Sequence, residues 1–349
     1  MVKLGEVASY INGYAFKPED RGSEGLPIIR IQDLTGNSYD LGYYSGNYPK
    51  KIEINDGDIL ISWSASLGVY TWNKGKALLN QHIFKVEFIE DSIDKKYFVY
   101  AVRKKIDEMI RKSHGATMKH IIKKDFEDTI IPYPTLEEQY KIADELDRIS
   151  KIIDMRNQEL RLHDDLIRAR FVEMFGDIII NDRLWKNDNW SNVVKIVNGK
   201  NQKSVESNDG KYVICGSGGI MGRATDYLTE ENSVIIGRKG NINKPILMRE
   251  KYWNVDTAFG VEPNENYICV EYLYMFCLFF DFNRLNKAVT IPSLTKMDLL
   301  NISMPIPDLH TQKRFATFVG QVDKSKVEVQ KALDKAQLLF DSLMQKYFG

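Results

Sequence analysis

The side chains best suited to metal or covalent chemistry are three cysteines and five histidines, and their spacing supports neither. Cys215, Cys269 and Cys277 are odd in number and form no CxxC pair, which argues against a disulfide framework and against a zinc site. His82, His114, His120, His163 and His310 are scattered, and no two candidate ligands share a helix face at metal-binding spacing. The chain lacks an Asn-Pro-Pro-aromatic or Asp-Pro-Pro-Tyr methyltransferase motif, an HExxH, a GxSxG and a Walker motif. Its glycine-rich run, Gly216 to Gly222, has no closing Gly-Lys-Ser/Thr, and GxGxxxG spacing is weak evidence for a dinucleotide.

What remains is non-covalent chemistry on glycine-rich loops. Ser62, Trp63, Ser64, Lys74 and Lys76 surround a loop after a strand-like run, and Asn80 and Gln81 stand just before the next. Ser217 lies inside the second glycine run, with Arg223, Arg238 and Lys239 as the nearest cations. Lys119-His120 and Ser293-Leu294 occupy equivalent places ahead of two long helical segments. Hydroxyls, amides and cations of this kind donate, accept and ion-pair. The plainer alternative makes Trp63 and Trp72 core or lid aromatics, the lysines ordinary solvated charges and the glycine run a structural loop.

Lys plus Arg and Asp plus Glu balance at 48 each. Neutrality counts against nucleic-acid binding, since phosphate neutralisation supplies much of the affinity, unless charge is segregated or partners supply phosphate contacts. With 349 residues the chain suggests two domains. Its 43% hydrophobic and 28% charged residues fit a soluble globular protein. No run approaches the roughly 18 apolar residues of a membrane span. The most apolar stretch, Tyr272 to Phe280, reads as a buried helix. The N-terminus has no apolar signal core, so the expected location is the cytoplasm.

An internal repeat decides the architecture. Ile131-Pro132-Tyr133-Pro134-Thr135-Leu136-Glu137-Glu138-Gln139 matches Met304-Pro305-Ile306-Pro307-Asp308-Leu309-His310-Thr311-Gln312 at a constant shift, which also places Phe175-Gly176 on Phe348-Gly349. Weaker matches lie upstream. Val7 through Gly13 resembles Val193 through Gly199, Phe84 to Glu87 resembles Phe259 to Glu262, and Gly115-Ala116-Thr117 falls opposite Ala288-Val289-Thr290. Each repeat is a variable globular part followed by a better matched helical part.

Each helical part starts after a Pro-x-Pro. Thr135 with Glu138 forms a capping box, Asp308 is a good N-cap, and Gly176 and Gly349 supply stop signals. Between these signals runs a heptad seam. It reads Ile142, Leu146, Ile149, Ile153, Arg156, Leu160, His163, Ile167, Arg170 and Met174 in the first helix. In the second it reads Phe315, Val319, Val322, Lys326, Val329, Leu333, Ala336, Phe340, Leu343 and Tyr347. At 1.5 Å per residue each helix is roughly 55–60 Å long, a spacer's length. Antiparallel pairing is expected, with the two globular parts at opposite ends about a pseudo-two-fold axis. Arg156, His163, Arg170 and Lys326 interrupt the seam. Such residues fix register and snorkel to solvent, or meet a partner subunit.

The globular parts read as mixed α and β. Pro27–Ile31, Ile59–Ser62, His82–Val86, Ser233–Gly237 and Ala258–Val261 are strand-like, and Tyr97–Arg111 and Glu271–Phe282 look helical. The order is too irregular for a doubly wound sheet.

At this point the sequence resembles the DNA specificity subunits of type I restriction–modification systems. Asp58 through Gly68 and Trp72 through Phe84 resemble a first target-recognition domain of that family. Gly115 to His120 and Pro132 to Gln139 look like its transition into a spacer helix. Gly216 to Gly222 and Ile235 to Gly240 resemble another common domain type. The resemblance covers essentially the whole chain, and the duplicated architecture makes it more specific than any single motif. Family members often carry a leader before the first domain. Met1 stands almost at that domain, so a leader contact is expected to be missing.

The resemblance implies an α+β chain with target-recognition domain 1 at 1–135, spacer helix 1 at 136–176, domain 2 at 177–308 and spacer helix 2 at 309–349. Each domain would read one half of a bipartite, asymmetric site in double-stranded DNA, and the antiparallel helices would fix the unread spacer. Two modification subunits would dock, bind S-adenosylmethionine and methylate adenine. Restriction subunits would add ATP- and Mg-dependent translocation and cleavage. This chain itself would hold no cofactor and no catalytic site. The loop residues then become candidates for contacts to base edges and phosphates, with the Asn80 or Gln81 amide suited to adenine. Two other readings compete: a divergent methyltransferase or nuclease, and a coiled-coil adaptor with ligand-binding domains and no DNA role.

Overall fold

The computed structural model describes residues 1–37, 40–89, 93–112, 122–286 and 291–349. They form two compact units, Met1–Met155 with Ala332–Gly349, and Arg156–Lys331. The candidates Lys119 and His120, and the repeat matches at 115–117 and 288–290, lie outside the described residues.

In chain order the strands described in the first unit are β1 (Val2–Lys3), β2 (Ala8–Asn12), β3 (Leu26–Ile29), β4 (Tyr43–Tyr44), β5 (Glu53–Ile54), β6 (Ile59–Ser62), β7 (Gly68–Thr71), β8 (Ala77–Leu79), β9 (Ile83–Phe88) and β10 (Ile130–Ile131). One sheet runs β2-β9-β6-β7, all antiparallel, and a second runs β4-β3-β8-β5 with β3 and β8 parallel. The run Ile59-Leu60-Ile61 is apolar throughout because both faces of β6 are covered. Ile59 and Ile61 enter one core cluster and Leu60 enters another, as the period of two along a strand requires. The expected strand at Pro27–Ile31 ends earlier, at Ile29. Asp33 there accepts a hydrogen bond from the Arg30 amide (2.8 Å) and turns the chain into a short helix at Ile31–Thr35.

The second unit repeats this plan. Its strands are β11 (Asn187–Asn189), β12 (Val194–Asn198), β13 (Tyr212–Gly216), β14 (Gly219–Ala224), β15 (Ser233–Gly237), β16 (Ile246–Met248), β17 (Tyr252–Asn254), β18 (Ala258–Pro263) and β19 (Ser303–Pro305). The sheet β12-β18-β15-β16 has the order of β2-β9-β6-β7. The parallel pair β13-β17 corresponds to β3-β8. Val234 and Ile236 face one cluster and Ile235 another, like their β6 counterparts.

Besides helices of four or five residues, each unit has among the described residues one longer domain helix, α1 (Lys95–Lys112) and α3 (Val270–Phe279), and part of two long helices, α2 (Leu136–Phe175) and α4 (Leu309–Phe348). The unit boundaries cut through both long helices. The expected helix Glu271–Phe282 stops sooner, and Phe282–Leu285 forms a 3-10 turn capped by the Asp281 side chain. The long helices start as their caps require. Thr135 and Glu138 exchange hydrogen bonds, and Asp308 accepts from the Thr311 amide (2.8 Å). Gly176, at φ +76°, ends α2 in the left-handed region that favours glycine.

Within the second unit α2 and α4 run antiparallel. Asp164 pairs with Lys326 at 2.7 Å, the Arg170 guanidinium lies 5.7 Å from the Phe318 ring centroid, and Phe171 and Phe175 both meet Phe315. Partners on α4 therefore descend as α2 advances. In the first unit the Tyr347 hydroxyl donates to Glu145 at 2.7 Å. None of the seam positions on either helix is among the exposed residues. The interrupting cations use their charge locally: Arg156 on Glu159, Arg170 on Glu173 and Lys326 across the pair.

A glutamine ties each domain to its long helix. Gln139, fully buried, accepts from the Asp94 amide just ahead of α1 (2.9 Å) and donates to Pro134 O (3.0 Å). Gln312 accepts from the Cys269 amide just ahead of α3 (2.9 Å) and donates to Pro307 O and Tyr267 O. The Tyr97 and Tyr272 hydroxyls donate to Pro132 O and Pro305 O, so the Pro-x-Pro segments are held from both sides.

Candidate nucleic-acid interface

In the first unit, three segments meet where β6 ends. Register pairs Ser62 with Gly68 and with Ile83, so the turn after β6 and the turn before β9 lie together. The Trp63 amide donates to His82 O (3.1 Å), the Gln81 amide to Tyr14 O (2.9 Å), and the Tyr14 amide to Leu79 O (2.8 Å). A Cβ on Gly13 would overlap the Asn80 carbonyl, so only glycine permits this approach. Ala65 (φ 57°) and His82 (φ 72°) adopt left-handed backbone, uncommon for residues with a side chain. Trp63 is half-buried, stacked on Phe84 at 5.7 Å and edge-on to His82 at 4.9 Å.

The candidates separate on this frame. Trp63, Asn80 and Gln81 come together, Gln81 exposed. Ser62 does not offer its hydroxyl, which is buried and donates to Ser66 O (2.5 Å), closing the turn on itself. Ser64 is also buried. Lys74 and Lys76 sit at the other end of β6 and β7, because Thr71 pairs back with Ile59. There Lys76 is spent on Glu53 (2.9 Å), whose hydrogen bond raises the lysine's pKa and lowers the carboxylate's. Lys74 lies over the Trp72 ring, which is buried and so serves the core. Tyr14, 43% exposed, joins the cluster although sequence reasoning missed it. The Asn12-Gly13 match to Asn198-Gly199 was the available signal.

The second unit builds the equivalent place with other side chains. The Arg238 amide donates to Thr257 O (2.7 Å), as Trp63 does to His82 O. The Lys200 amide donates to Asn254 O (3.0 Å), as Tyr14 does to Leu79 O. A Cβ on Gly199 would overlap the Val255 carbonyl, the counterpart of Gly13 against Asn80. The turn is fixed from its other side by Leu294 N to Arg238 O (2.9 Å), Gly240 N to Pro292 O (3.0 Å) and a bridge between Lys239 and Ser293. Ser217, in the Gly216–Gly219 turn, lies beside Gly237, where an added Cβ would come within 3.0 Å of the serine Cβ.

Ser217, Arg238, Lys239 and Ser293 therefore converge. Arg223 does not join them. Its guanidinium donates to Gly210 O (2.6 Å) and Lys211 O (3.0 Å), holding the turn ahead of β13. Lys200, Arg238 and Lys239 are exposed and make no ion pair among the described residues. Three cations thus gather around the turn 254–257, which also carries the exposed Asp256, although the chain as a whole is neutral. Burial pushes the Cys215 and Cys269 thiols up to about 11, which keeps them unreactive thiols. Among the described residues no group of three or more His, Cys, Asp or Glu is placed to hold a metal ion, and no helix is long and apolar enough to cross a membrane.

The family model for the type I restriction modification DNA specificity domain matches residues 1–162 and again 183–338. The chain belongs to this family of specificity subunits. Each match contains one of the two loop clusters. The chain is 30% identical over 190 residues to the type I restriction enzyme EcoBI specificity subunit of Escherichia coli, an alignment covering 54% of this chain and 40% of that one. It is 23% identical to the MjaVIII specificity subunit of Methanocaldococcus jannaschii, covering 96% of this chain and 90% of that one. The crystal structure of an S subunit from M. genitalium has a TM-score of 0.65 at 17% identity, covering 99% of this chain and 95% of that one. A second structure, from work on complex assembly and conformational transition of the type I R-M system, has a TM-score of 0.56 at 17% identity, with 99% and 96% covered. The specificity-subunit fold is therefore the fold of this chain: mixed α and β domains in tandem, with long antiparallel helices.

Proposed function

We propose that this specificity subunit reads a bipartite, asymmetric site in double-stranded DNA, each loop cluster contacting one half. One observation carries the reading. The two clusters share strand register and backbone anchors but present different side chains, Tyr14 and Trp63 in one and Lys200 and Arg238 in the other. A common scaffold with different exposed groups suits two different half-sites, since base edges are read by side chains while the backbone frame only positions them. Trp63, Asn80, Gln81, Ser217, Arg238, Lys239 and Ser293 form the contact set, joined by Tyr14 and Lys200.

The chain recognises and assembles, and catalysis resides in its partners. Two modification subunits dock on it, bring S-adenosylmethionine and methylate adenine. Restriction subunits bring ATP- and Mg-dependent cleavage. The long helices set the number of unread base pairs between half-sites. On α2, Leu162 and Leu166 are 56% and 48% exposed, apolar surface of the kind a partner covers. Neutral net charge is consistent with partners sharing the phosphate contacts. The complex works in the cytoplasm, where its DNA is.

The test supplies S-adenosylmethionine and a DNA library to the full chain, alone and with modification subunits. Methylation of one bipartite motif only in the combined sample supports the proposal. Methylation by the chain alone would identify a divergent methyltransferase instead.

A further inference from the structure

The two clusters differ most sharply at one position, and that difference carries a chemical prediction. Trp63 and Arg238 occupy the same place in the register. Each follows the last residue of a central strand, each donates its amide across to the turn before the neighbouring strand, β9 or β18, and each lies on the phenylalanine of that strand. Trp63 stacks on Phe84 at 5.7 Å, and the Arg238 guanidinium lies 5.8 Å from the Phe259 centroid.

We propose that Arg238 is a specificity-determining residue that reads a guanine, its guanidinium donating to O6 and N7 in the major groove. This rests on the reading of the chain as a DNA-recognition subunit. Three features distinguish Arg238 from an ordinary surface cation. Its guanidinium makes no hydrogen bond or ion pair among the described residues, whereas Arg223 uses its own on Gly210 O and Lys211 O and Arg249 binds Glu271. Its backbone is fixed on both sides, through Thr257 O and the Leu294 amide, so the stem starts from a rigid turn. The Phe259 ring beneath it, almost fully buried, restricts the planar fork at little entropic cost. A planar fork matches guanine's two acceptors bidentately, while the neighbouring Lys239 is a point charge suited to phosphate. Gly237 and Gly240 flank the pair and keep the turn slim enough for close approach. Trp63 cannot make the same contact, so the half-site read by the first unit lacks this guanine determinant.

The experiment uses the full chain reconstituted with modification subunits, and duplexes carrying the motif mapped for the parent complex. Each G·C pair of the motif is exchanged in turn for A·T, and binding is measured for the parent, R238A, R238K and R238Q. The proposal expects one G·C pair whose exchange weakens the parent by about tenfold or more. R238A loses that preference and no other. R238K does not restore it fully, and R238Q shifts it toward A·T, because a glutamine amide matches adenine. A uniform loss on every duplex in all three variants, with base preference intact, would make Arg238 a phosphate contact and overturn the proposal. Parent-like binding by R238A would overturn it equally. In both cases sequence-selective binding by the parent would leave the recognition reading standing. A parent complex with no sequence preference would sink that reading and this inference together. Parent-like melting of the variants assigns any change to recognition.

Discussion

The Arg238 guanidinium carbon lies 5.8 Å from the centroid of the Phe259 ring, at the end of a strand whose counterpart in the first unit places Trp63 against Phe84. One framework thus carries a cation on an aromatic ring in one half of the chain and an aromatic stack in the other.

Ser62 and Gln81 lie in the same cluster with opposite roles. Ser62→Ala removes a buried hydrogen bond to Ser66 O and should cost about 1 kcal/mol in chemical unfolding, with the methylated motif unchanged. Gln81→Ala, at an exposed turn, should stay within about 0.5 kcal/mol of the parent and weaken selective DNA binding. The reverse pattern would exchange their roles.

The Gln139 and Gln312 ties should behave alike. Alanine at either position leaves a domain-helix amide, that of Asp94 or Cys269, without its acceptor, at a cost of roughly 1–3 kcal/mol. Thermal melting reads the loss, and faster amide exchange at Asp94 or Cys269 locates it. Unchanged melting in both variants would remove these glutamines from the account of domain attachment.

Much of this framework is legible in the sequence. Ile59–Ser62 and Ser233–Gly237 are short apolar runs bounded by glycine or polar residues, and the long helices announce themselves through seam, cap and glycine stop. The interface is less legible because side-chain direction and strand return are tertiary facts. Lys74 and Lys76 stand close to Ser62 in sequence, yet β7 carries them back to the far end of the sheet. Arg223 looks as available as Arg238 until the Gly210 and Lys211 carbonyls take its donors. The compact units were also hidden, since residues 332–349 join the first 155 through contacts distant in sequence.

Acid should weaken the starts of both long helices. Hydrogen bonds from Thr135 hold Glu138 below the usual carboxylate range, and those from Thr311 do the same for Asp308. A carboxyl with a depressed folded pKa contributes stability above its unfolded pKa and loses it as pH falls through the folded value. Melting temperature should therefore fall as the pH drops through and below the usual carboxylate range. Glu138→Gln with Asp308→Asn should flatten part of that slope. Both side chains are solvent-exposed, so the change is small, and an unaltered slope in the double variant would contradict the assignment.

Position on α2 should separate folding from assembly. Leu146→Asp places a carboxylate at a fully buried site of the first unit's core and should cost on the order of 3 kcal/mol or more. Leu162→Asp, at a site 56% exposed, should melt like the parent and bind modification subunits more weakly. Equal partner binding by Leu162→Asp and the parent would place the docking surface elsewhere.

The central claim is that each domain reads its own half of the site. The direct measurement is the map of methylated adenines made by the complex when residues 1–135 are replaced by the corresponding domain of another family member. One half of the motif should change, while the other half keeps its bases. A map in which both halves change, or neither does, would contradict the account.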